Sequence, residues 1–233
     1  MRRRTKGLLF ALFVFPFLFA AFAWYTLQPQ EQNLALPPAL VSIEGDEGQA
    51  LLSSAGYTAD LLALQDAYVS QRLISYCGVA SSVAVLNALG REHDQWDFFT
   101  AATKDVRSRL QVTFGGMTLG QLDGLLKAHG LQSQAVHGDD LTLVELRSIV
   151  RGNLSMSDDF LLVNYQREAL GQGRSGHISP VAAYDEASDR VLIMDTASFK
   201  YPPTWVPLEL LYGALQEVDS ASGEPRGILE VRL

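Results

Sequence analysis

Cysteine is nearly absent from this chain of 233 residues, which contains only Cys77. A single thiol cannot form a disulfide within the chain, and it cannot build a metal cluster of several thiolates. The sequence therefore excludes a disulfide-stapled scaffold. A lone thiol is either buried and inert or retained for its chemistry, so Cys77 is the first residue to consider as a nucleophile.

Positive charge is scarce as well. Lys and Arg number 18 against 26 Asp and Glu, which gives a formal net charge of −8. Arg2, Arg3, Arg4 and Lys6 stand at the extreme N-terminus, so the rest of the chain is more acidic still. We therefore expect neither a nucleic acid nor an anionic membrane surface as a partner, which leaves small molecules and peptides.

The N-terminus has the pattern of an export signal. Basic residues precede an apolar run at residues 8–24, and polar residues follow it. Ala-Phe-Ala at 21–23 fits a cleavage site, whereas the run of about 17 residues is close to the ~20 that span a bilayer. We predict that residues 1–28 are a signal peptide or membrane anchor, which places the protein in the periplasm or on the periplasmic side of the inner membrane. Residues 29–57 are predicted to be a linker or irregular arm, and residues 58–233 the folded domain.

Helical patterns dominate the first half of this domain and strand patterns the second half. Small and apolar residues from Cys77 to Leu89 predict a buried helix, with Gly90 just beyond its end. Residues 185–189 predict a hairpin turn between two antiparallel strands. Helices followed by strands, rather than alternating with them, indicate an α+β fold. The other helical patterns cover 96–103, 118–129 and 142–150, and strand-length apolar runs cover 160–165, 178–184, 191–194 and 228–231.

A catalytic triad can be assembled from these elements. The unpaired N–H groups and the positive dipole end of a helix N-terminus favour a thiolate at Cys77. His177 begins a predicted strand and is the candidate general base. Asp195 ends the antiparallel strand, close to opposite His177, where it can orient the imidazole. A Cys that opens a helix, followed by His and Asp on a later hairpin, is the papain-like arrangement, so we predict that this helix packs on an antiparallel sheet.

Gln71 lies upstream in the string SQRLISYCG, where the chain can fold back toward Cys77. Its side-chain amide is a candidate donor to an oxyanion formed at the thiol, beside the Cys77 N–H. Gly78 is expected to leave room for a substrate to approach the backbone.

Two blocks of the sequence resemble the core motifs of phytochelatin synthases. The first, QRLISYCGVASSVAVLNALG, begins at Gln71, and the second, GQGRSGHISPVAAYDEASDRVLIMDTASFKYPPTWVPLELLYGAL, contains His177 and Asp195. The pattern DxxxFKYPPxWV, which starts at Asp195, is the most specific part. The resemblance extends from about residue 71 to the C-terminus.

This resemblance implies an acyl-transfer enzyme acting on glutathione. Cys77 would be the nucleophile, His177 the general base and acid, Asp195 the orienting residue and Gln71 the oxyanion donor. The enzyme would cleave the Cys–Gly bond, release glycine and hold a γ-glutamylcysteinyl thioester on Cys77. Water would then give γ-glutamylcysteine, whereas a second glutathione would give phytochelatin.

The resemblance also implies a substrate-binding set. Asn164 and Arg226 look like the family positions that contact glutathione, and Arg226 can pair with a substrate carboxylate through its planar fork. Gly176, directly before His177, is the third predicted substrate-binding residue. We predict no metal ligands and no tightly bound cofactor; cadmium or zinc ions would enter as glutathione-thiolate complexes in heavy-metal detoxification or glutathione turnover.

Two alternatives stay open at this point. A papain-like peptidase acting on larger peptides would need an extended groove rather than a closed tripeptide pocket. A catalytically weak module that binds thiols or metal-glutathione complexes would not depend on Cys77 for its chemistry. A homodimer and membrane anchoring through the N-terminal segment also stay open.

Overall fold

Strands drawn from most of the chain form one sheet. In the computed structural model, which describes residues 17–18 and 21–233, every strand pairing is antiparallel. The strands are β1 (Val41–Ser42), β2 (Gln132–His137), β3 (Asp159–Gln166), β4 (Gly176–Asp185), β5 (Arg190–Ile193), β6 (Thr204–Pro207) and β7 (Gly227–Arg232). Their order across the sheet is β1–β6–β5–β4–β3–β7–β2. The four apolar runs predicted as strands correspond to β3, β4, β5 and β7, and the hairpin between β4 and β5 is confirmed.

The helix that begins at the cysteine is also confirmed. The helices are α1 (Asp46–Ser54), α2 (Leu61–Asp66), α3 (Cys77–Ala88), α4 (Arg109–Gly115), α5 (Leu119–Ala128), α6 (Leu143–Asn153) and α7 (Leu208–Gln216). Gly90, just beyond α3, has a φ of +72°, a left-handed conformation that favours glycine. Thr118 and Thr142, the first residues of two predicted helical patterns, cap α5 and α6 through capping boxes, so both helices begin where the patterns begin.

Helices cover both faces of the sheet. Along β3, Phe160 and Leu162 point to the core shared with α3 and α5, whereas Leu161 and Val163 point to the core shared with α6 and α7. A strand buried on both faces reads as a continuous apolar run, because both alternating sets of side chains are buried. The predicted α+β class, with the Cys-bearing helix packed on an antiparallel sheet, is confirmed.

The prediction that residues 29–57 form a linker or irregular arm is wrong for residues 41–54, which form a strand and a helix. β1 pairs with β6, and α1 follows it. The Trp205 indole N–H donates to the Gly48 carbonyl over 3.1 Å, and a Cβ at Gly48 would overlap the backbone of Ser42. These elements are too short to show a period in the sequence, and tertiary contacts rather than local propensity stabilise them. The folded domain therefore begins well before residue 58.

The predicted helix at 96–103 is also wrong. Turns and a short 3₁₀ helix, Ala102–Asp105, occupy this region. The Asp94 carboxylate accepts the Trp96 N–H over 2.8 Å, and the Asp97 carboxylate accepts the Asp94 N–H over 2.8 Å. Aspartate side chains that bond nearby backbone groups compete with helix formation, and this competition overrides the apolar spacing.

Most of the predicted signal peptide or anchor lies outside the described residues. Residues 21–27 are helical. Within the part of the chain that the structure describes, no helix is both long enough and apolar enough to cross a membrane.

Candidate active site

The thiol of Cys77 sits at the first position of α3, where the helix N–H groups lack intrahelical acceptors. The Ser81 hydroxyl shares its one hydrogen between two carbonyl oxygens, that of Cys77 at 2.8 Å and that of Ile178 at 3.0 Å, and thereby joins α3 to β4. This link places the thiol of Cys77, a partly exposed residue, beside the imidazole of His177, the second residue of β4.

His177 and Asp195 meet at the end of the β4–β5 hairpin, as predicted. The His177 Nε2 lies 2.9 Å from the Asp195 Oδ1, although the carboxylate is off the N–H axis, so this is a close polar contact rather than a straight hydrogen bond. Both residues are buried. The Tyr165 ring meets the imidazole edge-on at 5.7 Å and restricts its rotation.

The electrostatics favour ionised Cys77 and Asp195. Burial opposes the thiolate, but hydrogen bonding and the charge of His177, with the N–H groups of Ile178 and Gly78, outweigh burial and lower the pKa of Cys77. Burial likewise opposes the Asp195 carboxylate, yet the charges of His177 and Arg167 hold the pKa of Asp195 far below its usual range. The site is therefore built to carry a thiolate next to an oriented imidazole.

Arg167 belongs to this site and was not predicted from the sequence. It follows β3, and its guanidinium donates to the Asp195 Oδ1 over 2.7 Å and to the Gln172 Oε1 over 2.6 Å. Arg167 and Asp195 are each only 2% exposed, so the ion pair is almost fully desolvated. An arginine after an apolar strand is ordinarily exposed, and no sequence signal marks this one as buried.

The three predicted substrate-binding residues line the same cleft as Cys77 and His177. Arg226 Nη1 donates to the Asn164 Oδ1 over 2.7 Å, and it lies 3.5 Å from a carboxylate oxygen of Asp219. A Cβ at Gly176 would overlap the Arg226 guanidinium, so any residue other than glycine at this position would displace the Arg226 side chain. Asp219 is a second cleft residue that sequence reasoning missed, because it comes from a separate loop.

Polar atoms in this part of the cleft lack partners. The Asn164 Nδ2 and the Arg226 Nε are buried without a hydrogen-bond partner among the described residues. Buried donors without acceptors are costly, so these two point to a ligand oxygen as their partner.

The structure places Gln71 differently from the prediction. Its amide nitrogen donates to the carbonyl oxygens of Leu73 and Ile74, both over 2.9 Å, and Gln71 does not line the cleft. A primary amide has two N–H bonds, and both are used here. In this conformation an oxyanion would depend on backbone N–H groups at Cys77.

Gly78 also differs from expectation. A Cβ at this position would lie 2.5 Å from the Met117 sulfur, so the missing side chain admits Met117 rather than a substrate. Among the described residues, no group of three or more His, Cys, Asp or Glu side chains could hold a metal ion.

An α+β fold with a thiol at a helix N-terminus and a His–Asp pair on the adjoining sheet defines the papain-like cysteine enzymes. Within that class the chain belongs to the phytochelatin synthase family, whose model matches residues 31–228.

Similar proteins come from plants and yeast. Glutathione gamma-glutamylcysteinyltransferase 3 of Lotus japonicus is 34% identical over 205 residues, which cover 84% of this chain and 43% of that relative. The corresponding enzyme of Schizosaccharomyces pombe is 28% identical over 82% of this chain and 49% of its own length. The chain thus spans less than half the length of these relatives. The peptidase domain of Streptococcus ComA, a bifunctional ABC transporter, is 16% identical with a TM-score of 0.44, covering 70% of this chain and 96% of that domain.

Proposed function

We propose that this chain transfers the γ-glutamylcysteinyl group of glutathione through a thioester on Cys77. The observation that carries this proposal is a single cleft that holds both the thiol and the Arg226, Asp219 and Asn164 cluster. Membership of the phytochelatin synthase family and relatives named as glutathione gamma-glutamylcysteinyltransferases support the same chemistry.

The cluster matches the chemistry of a γ-glutamyl group. That group carries an α-carboxylate and an α-ammonium on the same carbon. The Arg226 guanidinium complements the carboxylate and the Asp219 carboxylate complements the ammonium. The unpartnered Arg226 Nε and Asn164 Nδ2 supply two further donors for substrate oxygens. This pairing holds the γ-glutamyl end and presents the Cys–Gly amide to Cys77.

The first half-reaction forms the thioester. The Cys77 thiolate attacks the carbonyl carbon of the cysteinyl residue, and N–H groups at the α3 N-terminus stabilise the oxyanion. The C–N bond then breaks, His177 gives a proton to the departing glycine amine, and the acyl group stays on sulfur. Asp195, held by Arg167, keeps the imidazole oriented throughout.

The second half-reaction regenerates the thiol. His177 accepts a proton from water or from the amine of a second glutathione, and the oxygen or nitrogen replaces sulfur on the acyl carbon. Water gives γ-glutamylcysteine and the amine gives phytochelatin. We propose a role in heavy-metal detoxification or glutathione turnover, with cadmium or zinc carried on the glutathione thiolate.

The test is incubation of the full chain with glutathione, with and without cadmium. We expect glycine release and a covalent acyl adduct on Cys77 by mass spectrometry, both abolished by Cys77→Ser. Asp195→Asn is expected to lower turnover by about 10²–10⁴-fold, since the imidazole loses its oriented partner.

Asp189→Asn is the matched control, because Asp189 also forms a strand-end ion pair, with Arg147, away from the cleft. It should retain activity. Glycine release that survives Cys77→Ser would refute the proposal. Cleavage of larger peptides without any action on glutathione would replace it with a general peptidase.

A further inference from the structure

Exposed apolar side chains form a continuous surface beside the cleft. Trp24, Leu110 and Phe114, with Leu73 and Trp96 at its floor, line this surface, which we call the apolar face. Leu110 and Phe114 are 69% and 74% exposed and Trp24 is 52% exposed. Large apolar side chains that cluster in water mark an interaction site rather than ordinary surface.

The geometry of α4 builds this face. Leu110 and Phe114 stand four residues apart, on one side of the helix, and Val112 is fully buried on the other. α4 is therefore apolar on both its inner and its outer side. The core requires the inner side alone, so the outer side serves another contact.

The N-terminal segment is anchored on the same face. Trp24 stacks on Trp96 at 6.3 Å, and the Leu27 carbonyl accepts the Ile74 N–H over 3.0 Å. The chain therefore leaves the folded domain toward its N-terminus from the apolar face itself.

The sequence before Trp24 identifies the occupant. Residues 8–23 contain no charged residue, and Arg2, Arg3, Arg4 and Lys6 precede them. An uncharged apolar run of this length enters the hydrocarbon of a bilayer, with tryptophan at the boundary. We propose that residues 8–23 insert into a lipid bilayer and that the apolar face rests on its surface.

Charge on this face agrees with a lipid interface, although the chain as a whole is acidic. The Arg109 guanidinium lies 5.7 Å from the Phe99 ring centre. The Arg72 guanidinium lies 5.7 Å from the Trp96 ring centre and is already paired with the Asp94 carboxylate, so Arg109 carries the available charge. An arginine beside partly buried aromatic rings suits the headgroup region, where its stem lies among apolar groups and the Arg109 charge meets phosphate.

The apolar face adjoins the mouth of the catalytic cleft. The catalytic cleft is lined by Gly115 and Ile74. Gly115 follows Phe114 in the chain, and the Ile74 N–H donates to the Leu27 carbonyl, so both residues adjoin the apolar face. The mouth of the cleft therefore opens beside the membrane surface.

Site-directed spin labelling of the full chain tests this inference. Because Cys77 is the only native thiol, Phe114→Cys in a Cys77→Ser background carries a single nitroxide. The protein is reconstituted into vesicles of zwitterionic phosphatidylcholine, and collisions of the label with lipid-soluble oxygen and with a water-soluble nickel chelate are compared. We expect the label at 114 to meet oxygen severalfold more than nickel.

Val144→Cys is the matched control. Val144 is 72% exposed but lies on α6, on the opposite side of the sheet, so its label should meet mainly nickel. Both sites are exposed, and neither substitution removes a core contact. Equal nickel accessibility at 114 and 144 would overturn the inference. Spin–spin broadening at 114 would also overturn it, because a second copy of the chain would then cover the face.

Discussion

Replacing Arg167 by methionine removes the guanidinium from a carboxylate that is itself buried. The Arg167 Nη2 lies 2.7 Å from the Asp195 Oδ1, and neither side chain is more than 3% exposed. Breaking a buried ion pair on one side costs about 3–5 kcal/mol. In Arg167→Met, the Asp195 carboxylate still accepts the Ala197 N–H over 2.9 Å and still lies beside His177. We therefore expect a loss in free energy of unfolding at the lower end of this range, about 3 kcal/mol.

A double-mutant cycle isolates the pair. The free energies of unfolding in urea are measured for Arg167→Met, Asp195→Asn and the double variant. Once Asp195 is neutral, the loss of Arg167 leaves no buried charge unpaired. The double variant should therefore be more stable, by about 2 kcal/mol or more, than the summed losses of the two single variants predict. Additivity within about 0.5 kcal/mol would refute the reasoning.

The partly exposed ion pair between Arg147 and Asp189 is the control for this double-mutant cycle. Its closest distance is also 2.7 Å, but its side chains are 31% and 35% exposed. Solvent screening limits such pairs to about 1 kcal/mol or less, so its coupling energy should be smaller than that of Arg167–Asp195.

The same variant has a signature in activity. Arg167 is among the groups that lower the pKa of Asp195, so its loss raises that pKa. Asp195 orients His177 only as a carboxylate. The acid limb of thioester formation should therefore move to higher pH in Arg167→Met, which a purely structural role would not produce.

Three further predictions concern other parts of the molecule. Burial, followed by the charge of Asp159, raises the pKa of Asp60 to about 7, so ionisation of Asp60 destabilises the fold as pH rises from about 4 through 7. The free energy of unfolding in urea should therefore rise in Asp60→Asn, relative to that of the wild type, by up to about 4 kcal/mol when the pH is raised from 3 to 8. A difference between the two proteins that does not change with pH would contradict this assignment. Gly176→Ala should raise the KM for glutathione at least tenfold by displacing Arg226, while the rate of Cys77 alkylation by iodoacetamide stays near wild type; an unchanged KM would contradict the assigned role of Arg226. Thr142→Ala should cost about 1 kcal/mol in thermal unfolding because it removes the α6 cap, and a neutral result would show that the cap contributes nothing.

Local signals explain most of what could be predicted. The capping boxes at Thr118 and Thr142 and the glycine after α3 are chemical requirements of helix ends, and they depend only on neighbouring residues. The β4–β5 hairpin is similarly local, since a short turn joins its two strands. Once the hairpin is predicted, the meeting of His177 and Asp195 follows from register.

Contacts between distant segments explain most of what was missed. β1 and α1 are stable because β6 and Trp205 hold them, and neither has a period long enough to detect. Gln71 is an exception, because the carbonyls that accept both of its amide hydrogens, those of Leu73 and Ile74, are local. Spacing alone cannot reveal which acceptor a side chain will meet.

The amino-acid sequence by itself determined the α+β class, the helix that begins at Cys77 and the hairpin that carries the His–Asp pair, because short-range periodicity, caps and turns encode them. The family followed from the resemblance of two sequence blocks to its motifs, not from periodicity. Only the tertiary structure decided that Arg167 is buried against Asp195, that Asp219 and Asn164 meet at Arg226, and that α4 exposes its apolar side next to Trp24. The physical reason is that burial and pairing of a charge depend on segments far apart in the chain, whose approach no local pattern records.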